Sequence, residues 1–160
     1  MSRLVYAFVL LISTLPGSLL TAAETTSTDS EATRFAELEK SLTGAALVGN
    51  FTVTGKEAVD LTPERYELIS VKHLGEGNWL FVARIKYGEH DLTIPITLPI
   101  KWAGDTPIIT VDNMAFPGMG TYTARVMIYA DHYAGFWKGT DHGGHLFGII
   151  EHGAAKAASE

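Results

Sequence analysis

The chain has 160 residues, a formal net charge of −6 and no cysteine. The absence of cysteine excludes disulfide bonds, a thiol nucleophile and thiolate metal ligands. An acidic chain without a run of lysine or arginine also excludes nucleic acid as a partner, because the phosphate backbone would repel it. The length suits one domain with its own hydrophobic core and is too short for two ordinary domains.

The N-terminus has the pattern of an export signal. Arg3 precedes the apolar run Leu4–Leu15, and small residues end the segment at Ala23. We predict that residues 1–23 are a cleaved signal peptide, which makes the protein periplasmic or extracellular. An uncleaved anchor is the alternative, but a proline–glycine pair interrupts the apolar run before the roughly 20 residues that a spanning helix needs. No stable membrane span is therefore expected after cleavage.

One helix is predicted at the start of the mature chain. Residues 24–30 are polar and have short side chains, so a flexible lead-in is expected there. Ser30 is a suitable N-cap, and apolar residues recur at helical spacing from Phe35 to Leu42 before a glycine ends the run. This apolar stripe is expected to pack against a sheet.

From Ala46 onward the periodicity changes to two, which predicts β-strands. About eight short strands joined by brief turns are typical of an antiparallel meander. The predicted fold class is therefore all-β, a single domain over residues 31–152 that forms a small barrel or a sandwich. Residues 153–160 are small and polar and are expected to be a disordered tail. The predicted strands are Leu47–Val53, Arg65–Leu74, Asn78–Tyr87, Asp91–Ile100, Thr106–Val111, Tyr122–Ala130, Tyr133–Lys138 and Leu146–His152.

The fourth predicted strand alternates apolar and polar residues throughout and contains Pro95 and Pro99. Backbone N–H groups two residues apart face the same flank of a strand, so both prolines leave one flank without donors. Prolines in sheets occur at edges or bulges. We therefore predict that this strand is an edge, or that the barrel is imperfectly closed beside it.

The order of these elements resembles a known class of proteins. A helix leads into a first strand with glycine, any residue and an aromatic at Gly49-Asn50-Phe51, and an eight-stranded meander follows. This resembles the calycins, that is, the lipocalins and their relatives, although Phe51 stands where tryptophan is usual. The segments KWAGDTP, YAGFWKG and GGHLFG are similar to secreted bacterial proteins of unknown function. The resemblance implies a barrel that holds a small ligand, and it brings no catalytic residue.

Histidine and aspartate residues near the C-terminus are candidate metal ligands. Asp141, His142 and His145 carry the carboxylate and imidazole groups that bind zinc, copper or nickel. His132 is expected at the other end of the seventh strand, about 17–20 Å away, so it is not expected to join them. The alternative is a turn, in which Asp141 bonds to its own backbone and the two glycines after His142 adopt positive φ.

Aromatic residues are spread over the predicted strands, where they either line a ligand pocket or fill a core. Two arginines lie in mid-strand among apolar residues. An inward arginine would require a carboxylate or an anionic ligand, whereas an outward one is solvated. The neighbouring residues favour an outward Arg125. The candidate ligand-binding residues are Trp79, Phe81, Arg84, Tyr87, Tyr122, Arg125 and Trp137.

No sequence motif for catalysis stands out. The serines lack the Gly-x-Ser-x-Gly pattern, and several of the aspartates lie beside predicted turns. We expect a non-enzymatic binding module without a cofactor, for a small apolar or amphipathic ligand. The alternatives are a structural or interaction module that binds an envelope protein, and a histidine-based metal binder. An open cavity would favour the ligand-binding module. A filled interior with an exposed apolar patch would favour the interaction module, and converging histidines would favour the metal binder.

Overall fold

The computed structural model describes residues 21–56, 61–87 and 90–153, with side chains for 29–56, 61–86 and 91–153. These residues form one helix and eight antiparallel strands that close into a barrel. The prediction of an all-β meander barrel with one N-terminal helix is confirmed. The elements are α1 Thr21–Leu42, β1 Ala45–Phe51, β2 Thr62–Gly75, β3 Asn78–Tyr87, β4 His90–Ala103, β5 Thr106–Phe116, β6 Gly120–Tyr129, β7 His132–Lys138 and β8 Gly143–Glu151.

Each strand pairs with the next one in the chain, and β1 pairs with β8 to complete the ring. The period-two pattern decides which side chains face inward, since successive residues of a strand point to opposite faces. In β3, for example, Trp79, Phe81, Ala83 and Ile85 are all buried. The alternate residues of that strand face outward and remain partly exposed.

Several element bounds differ from the prediction. The helix begins at Thr21, well before Ser30, so it includes residues 24–30, the predicted lead-in. Apart from Glu24, this stretch consists of threonine, serine and aspartate, which have weak helix propensity, so its composition did not predict a helix. β5 continues to Phe116, beyond its predicted end at Val111. The first 20 residues of the predicted signal peptide and residues 154–160 of the predicted tail lie outside the described residues.

The helix α1 covers one end of the barrel. Its residues Leu38 and Leu42 are buried. The ring of Phe35 packs against Trp79 and Trp102, with centroid separations of 5.5 and 5.8 Å. Trp79 is 0% exposed, so this end is filled by side chains. Within the described part of the chain, no helical stretch has the length and hydrophobicity to cross a membrane.

The two prolines of β4 lie where the barrel wall is incomplete. β4 pairs with β3 along most of its length, but with β5 through only four residue pairs, all after Pro99. The N–H of Ile100 donates to the carbonyl of Gly77 at 3.0 Å, so N–H groups of even-numbered β4 residues face β3. The nitrogens of Pro95 and Pro99 therefore face β5. The ring of described strands is closed, yet the first ten residues of β4 form an edge on that flank.

Candidate ligand cavity

The interior of the barrel contains a cavity of about 460 Å³ that is partly open to solvent. This volume lies within the range of roughly 300–1,000 Å³ that is usual for small-molecule sites. Met119 of the β5–β6 loop and His142 of the β7–β8 loop lie on its wall, so the cavity opens at the end opposite α1. Most of the other lining side chains are apolar.

A buried carboxylate lies in the wall of this cavity. Glu64 of β2 is 4% exposed, and its two oxygens accept hydrogen bonds from the hydroxyls of Tyr66 at 2.8 Å and Tyr133 at 2.9 Å. Burial raises the pKa of Glu64 above its usual value, and the two hydroxyl donors partly oppose this rise. Burial and the nearby carboxylate raise the pKa of Tyr133. Tyr133 is therefore a neutral hydrogen-bond donor.

Tyr133 reaches Glu64 by crossing two glycines. In the strand register Tyr133 lies opposite Gly148, Gly148 opposite Gly49, and Gly49 opposite Glu64. A Cβ atom at Gly49 would lie 2.5 Å from the Tyr133 hydroxyl oxygen, and one at Gly148 would lie 2.7 Å from the Tyr133 ring. Both positions therefore require glycine, because a side chain there would displace the ring.

Aromatic rings form a second part of the wall. The ring of Trp137 lies near those of Phe51, Tyr122 and His142, with centroid separations of 5.8, 6.1 and 5.2 Å. Tyr122 in turn packs edge-on against Phe116 at 5.8 Å. The cavity thus combines an apolar wall, a group of aromatic rings and one buried carboxylate.

The aromatic residues predicted to bind a ligand separate into three groups. Tyr122 and Trp137 line the cavity. Trp79 and Phe81 are buried in the core and do not line it. The side chain of Tyr87 lies outside what the structure describes. The sequence left open whether the aromatic residues line a pocket or fill a core. In the structure, some of them line the cavity and others lie in the core.

The two predicted arginines lie on the outer face of the barrel. Arg84 forms a two-pronged ion pair with Asp91, in which both N–O distances are 2.7 Å. Arg125 pairs with Asp112 at 2.6 Å. Neither arginine lines the cavity, so the prediction of an outward Arg125 is confirmed and Arg84 also points outward.

The three candidate metal ligands do not converge. His142 lies at the cavity wall against Trp137, whereas His145 is on the outer face of β8, its Nδ1 3.2 Å from the Thr52 hydroxyl. Asp141 is exposed in the loop before β8. Among the residues that the structure describes, no group of three or more suitable side chains could hold a metal ion. His132 lies at the other end of β7, as predicted.

The two glycines after His142 have a different role from the predicted one. Gly143 and Gly144 begin β8, and neither has a positive φ. A Cβ atom at Gly144 would overlap the carbonyl oxygen of Thr52, which lies beside β8. The predicted turn geometry at these glycines is therefore wrong, and Gly144 is required by close approach of two backbones.

Glu64 was not among the predicted site residues. The second strand was predicted to begin at Arg65, whereas β2 begins at Thr62. Strand alternation through the longer β2 places Glu64, Tyr66 and Leu68 on one face. An acidic residue on an otherwise apolar strand face was the signal that could have found it.

Fold and site together define a closed, eight-stranded antiparallel meander barrel with a helix over one end and a cavity that carries a single carboxylate. No protein-family model matches the chain, and neither curated proteins nor solved structures contain a significant match. The relation to calycins stays a prediction from the sequence pattern.

Proposed function

We propose that this protein is an exported, non-enzymatic carrier that binds a small apolar or amphipathic ligand inside the barrel. The observation that carries the proposal is the cavity of about 460 Å³. A barrel of eight strands is narrow enough for side chains to fill, as they do at the α1 end, so an unfilled apolar interior favours a ligand. Apolar ligand surface buried there would contribute about 25 cal/mol per Å². Export is supported by the pattern of residues 1–23 alone.

A second candidate function is an interaction module of the envelope, which an exposed apolar surface favours. Five large hydrophobic side chains are exposed on the outer face of β6, β7 and β8. Exposed patches of this kind often mark sites of protein–protein contact. The two functions are compatible, because this patch and the cavity lie on opposite sides of the barrel wall. The patch consists of Met127, Tyr129, Phe136, Phe147 and Ile149.

Native mass spectrometry of the protein, purified gently from its own host before and after chelation, tests the carrier proposal. We expect a bound organic mass that survives chelation. Ala124 lines the cavity and Ala134 is exposed on the outer face. The mass should therefore be lost from a folded Ala124→Trp variant and kept by the matched Ala134→Trp variant. A protein without any bound mass would contradict the carrier proposal, and a mass lost only on chelation would favour the metal binder.

A further inference from the structure

Glu64 retains unused hydrogen-bonding capacity inside the cavity. An ionised carboxylate has about four acceptor positions, and here each oxygen accepts one tyrosine hydroxyl. Within the described part of the chain, no lysine, arginine or histidine forms an ion pair with Glu64. Since Glu64 lines the cavity, its remaining acceptor positions are available to a molecule bound there.

The tyrosine pair favours the ionised form of this carboxylate. Hydrogen bonds donated to a carboxylate stabilise its charged state, whereas burial opposes that state. A buried charge without a partner of opposite sign is costly, so a cation inside the cavity would relieve this cost. An anionic ligand would increase the cost, and a neutral ligand would leave it unchanged.

The rest of the cavity wall also suits a cation attached to an apolar body. The rings of Phe51, Tyr122 and Trp137 lie in the same wall, and aromatic faces attract organic cations. The net charge of −6 raises the local concentration of cations around the protein. The remaining apolar wall can cover a hydrocarbon chain.

We propose that the cavity binds an amphipathic organic cation, whose ammonium group pairs with Glu64 and whose hydrocarbon part contacts the apolar wall. This inference rests on the proposed carrier function, because it requires a ligand inside the barrel. It deepens that function by naming the chemical class of the ligand.

Binding should depend on pH through Glu64. The other titratable side chains described on the cavity wall are Tyr66 of β2, Tyr122 of β6, Tyr133 of β7 and His142 of the β7–β8 loop. Next to Glu64, β1 contributes only Gly49 and β3 contributes Tyr87, whose side chain is not described. The ammonium probe stays charged below about pH 9, so lost affinity in acid would reflect protonation of the protein. A His142→Gln variant shows whether a change of affinity with pH comes from the His142 imidazole or from the Glu64 carboxylate.

Isothermal titration calorimetry with n-octylammonium, n-octanol and n-octanoate tests this inference on the full mature protein. We expect n-octylammonium to bind at least about tenfold more tightly than n-octanol, and n-octanoate to bind weakest. Glu64→Gln should abolish the preference for ammonium and leave n-octanol unchanged. Glu31→Gln removes the same charge from the exposed face of α1 and should bind all three compounds like the wild type.

The wild-type protein alone provides a second test if Glu64→Gln does not fold. Acidification should weaken binding of n-octylammonium but not of n-octanol, both in the wild type and in His142→Gln. Equal affinity for all three compounds, or no effect of acid on the ammonium, would overturn the inference and leave the carrier function standing. Failure of all three compounds to bind, together with a protein free of any co-purified mass, would overturn both.

Discussion

At the scale of single residues, the site depends on a hydrogen bond from β7 to β2 that crosses the two intervening strands, β8 and β1. The Tyr133 hydroxyl reaches Glu64 only because Gly148 and Gly49 leave space for the ring between them. The same two glycines allow β8 and β1 to approach closely at the closure of the barrel. Small residues at this closure therefore serve both the fold and the position of the carboxylate.

Substitution of Gly148 by alanine tests this arrangement. The added Cβ would overlap the Val48 carbonyl and the Tyr133 ring, so we expect the free energy of unfolding to fall by about 3 kcal/mol. Gly139→Ala is the matched control, because its Cβ would meet no atom closer than 3.4 Å. Urea denaturation of both variants measures the difference. Equal stability of the two variants would show that the close approach at Gly148 is not required.

At the scale of secondary-structure elements, β4 has two unlike flanks. One flank is bonded to β3, and the other has a partner in β5 only after Pro99. Proline at two positions of the second flank removes N–H donors from the stretch of β4 that does not pair with β5. This edge interrupts the pairing between β4 and β5, which the alternation of β4 alone does not reveal.

Hydrogen exchange of the β4 amides checks the assignment of the flanks. The N–H groups of Thr93 and Thr97 face the unpaired flank, whereas those of Ile94, Ile96 and Leu98 face β3. We therefore expect the amides of Thr93 and Thr97 to exchange at least about tenfold faster than the three amides that face β3. The measurement is residue-resolved exchange by NMR at one pH. Similar protection at all five positions would mean that β5 pairs with this stretch.

At the scale of the whole molecule, the barrel has a filled end and a hollow end. The helix and the tryptophans close one end, and the hairpin loops surround a cavity at the other. The filled end supplies much of the core, which allows the hollow end to keep a buried carboxylate with a raised pKa. Burial of Glu64 therefore has a measurable effect on the stability of the protein as pH changes.

The sign of that effect follows from proton binding. The pKa of Glu64 is raised in the folded protein above the value of 4.5 for an ordinary carboxyl, so between these two values the folded protein binds more protons than the unfolded chain. The free energy of unfolding should therefore fall as pH rises through this window. The Glu64→Gln variant should lack this fall. Denaturation at each pH gives the free energy of unfolding of the wild type and of the variant, and the difference between the two is the contribution of Glu64. If the wild type instead gained stability over the variant as pH rises, folding would favour the ionised form of Glu64, which would contradict the prediction.

Much of the fold followed from local patterns, because the direction of a strand side chain depends only on its position in an alternating series. The pattern of β3 predicted its bounds and its buried face, and Pro95 and Pro99 predicted an edge. The candidate site was only partly predictable. Tyr122 and Trp137 line the cavity, but Trp79 and Phe81, which have the same inward pattern, lie in the core.

The sequence by itself determined the fold class, the order of the elements and the inward face of most strands, since these depend on residues close together in the chain. Only the tertiary structure decided where the interior is filled and where it is hollow, since that depends on how the closed barrel stacks side chains from all strands. It also decided that Tyr133 meets Glu64, 69 residues earlier in the chain, and that His142 and His145 lie on different sides of the wall. Such contacts depend on the register in which β8 closes against β1, and no local pattern encodes that register.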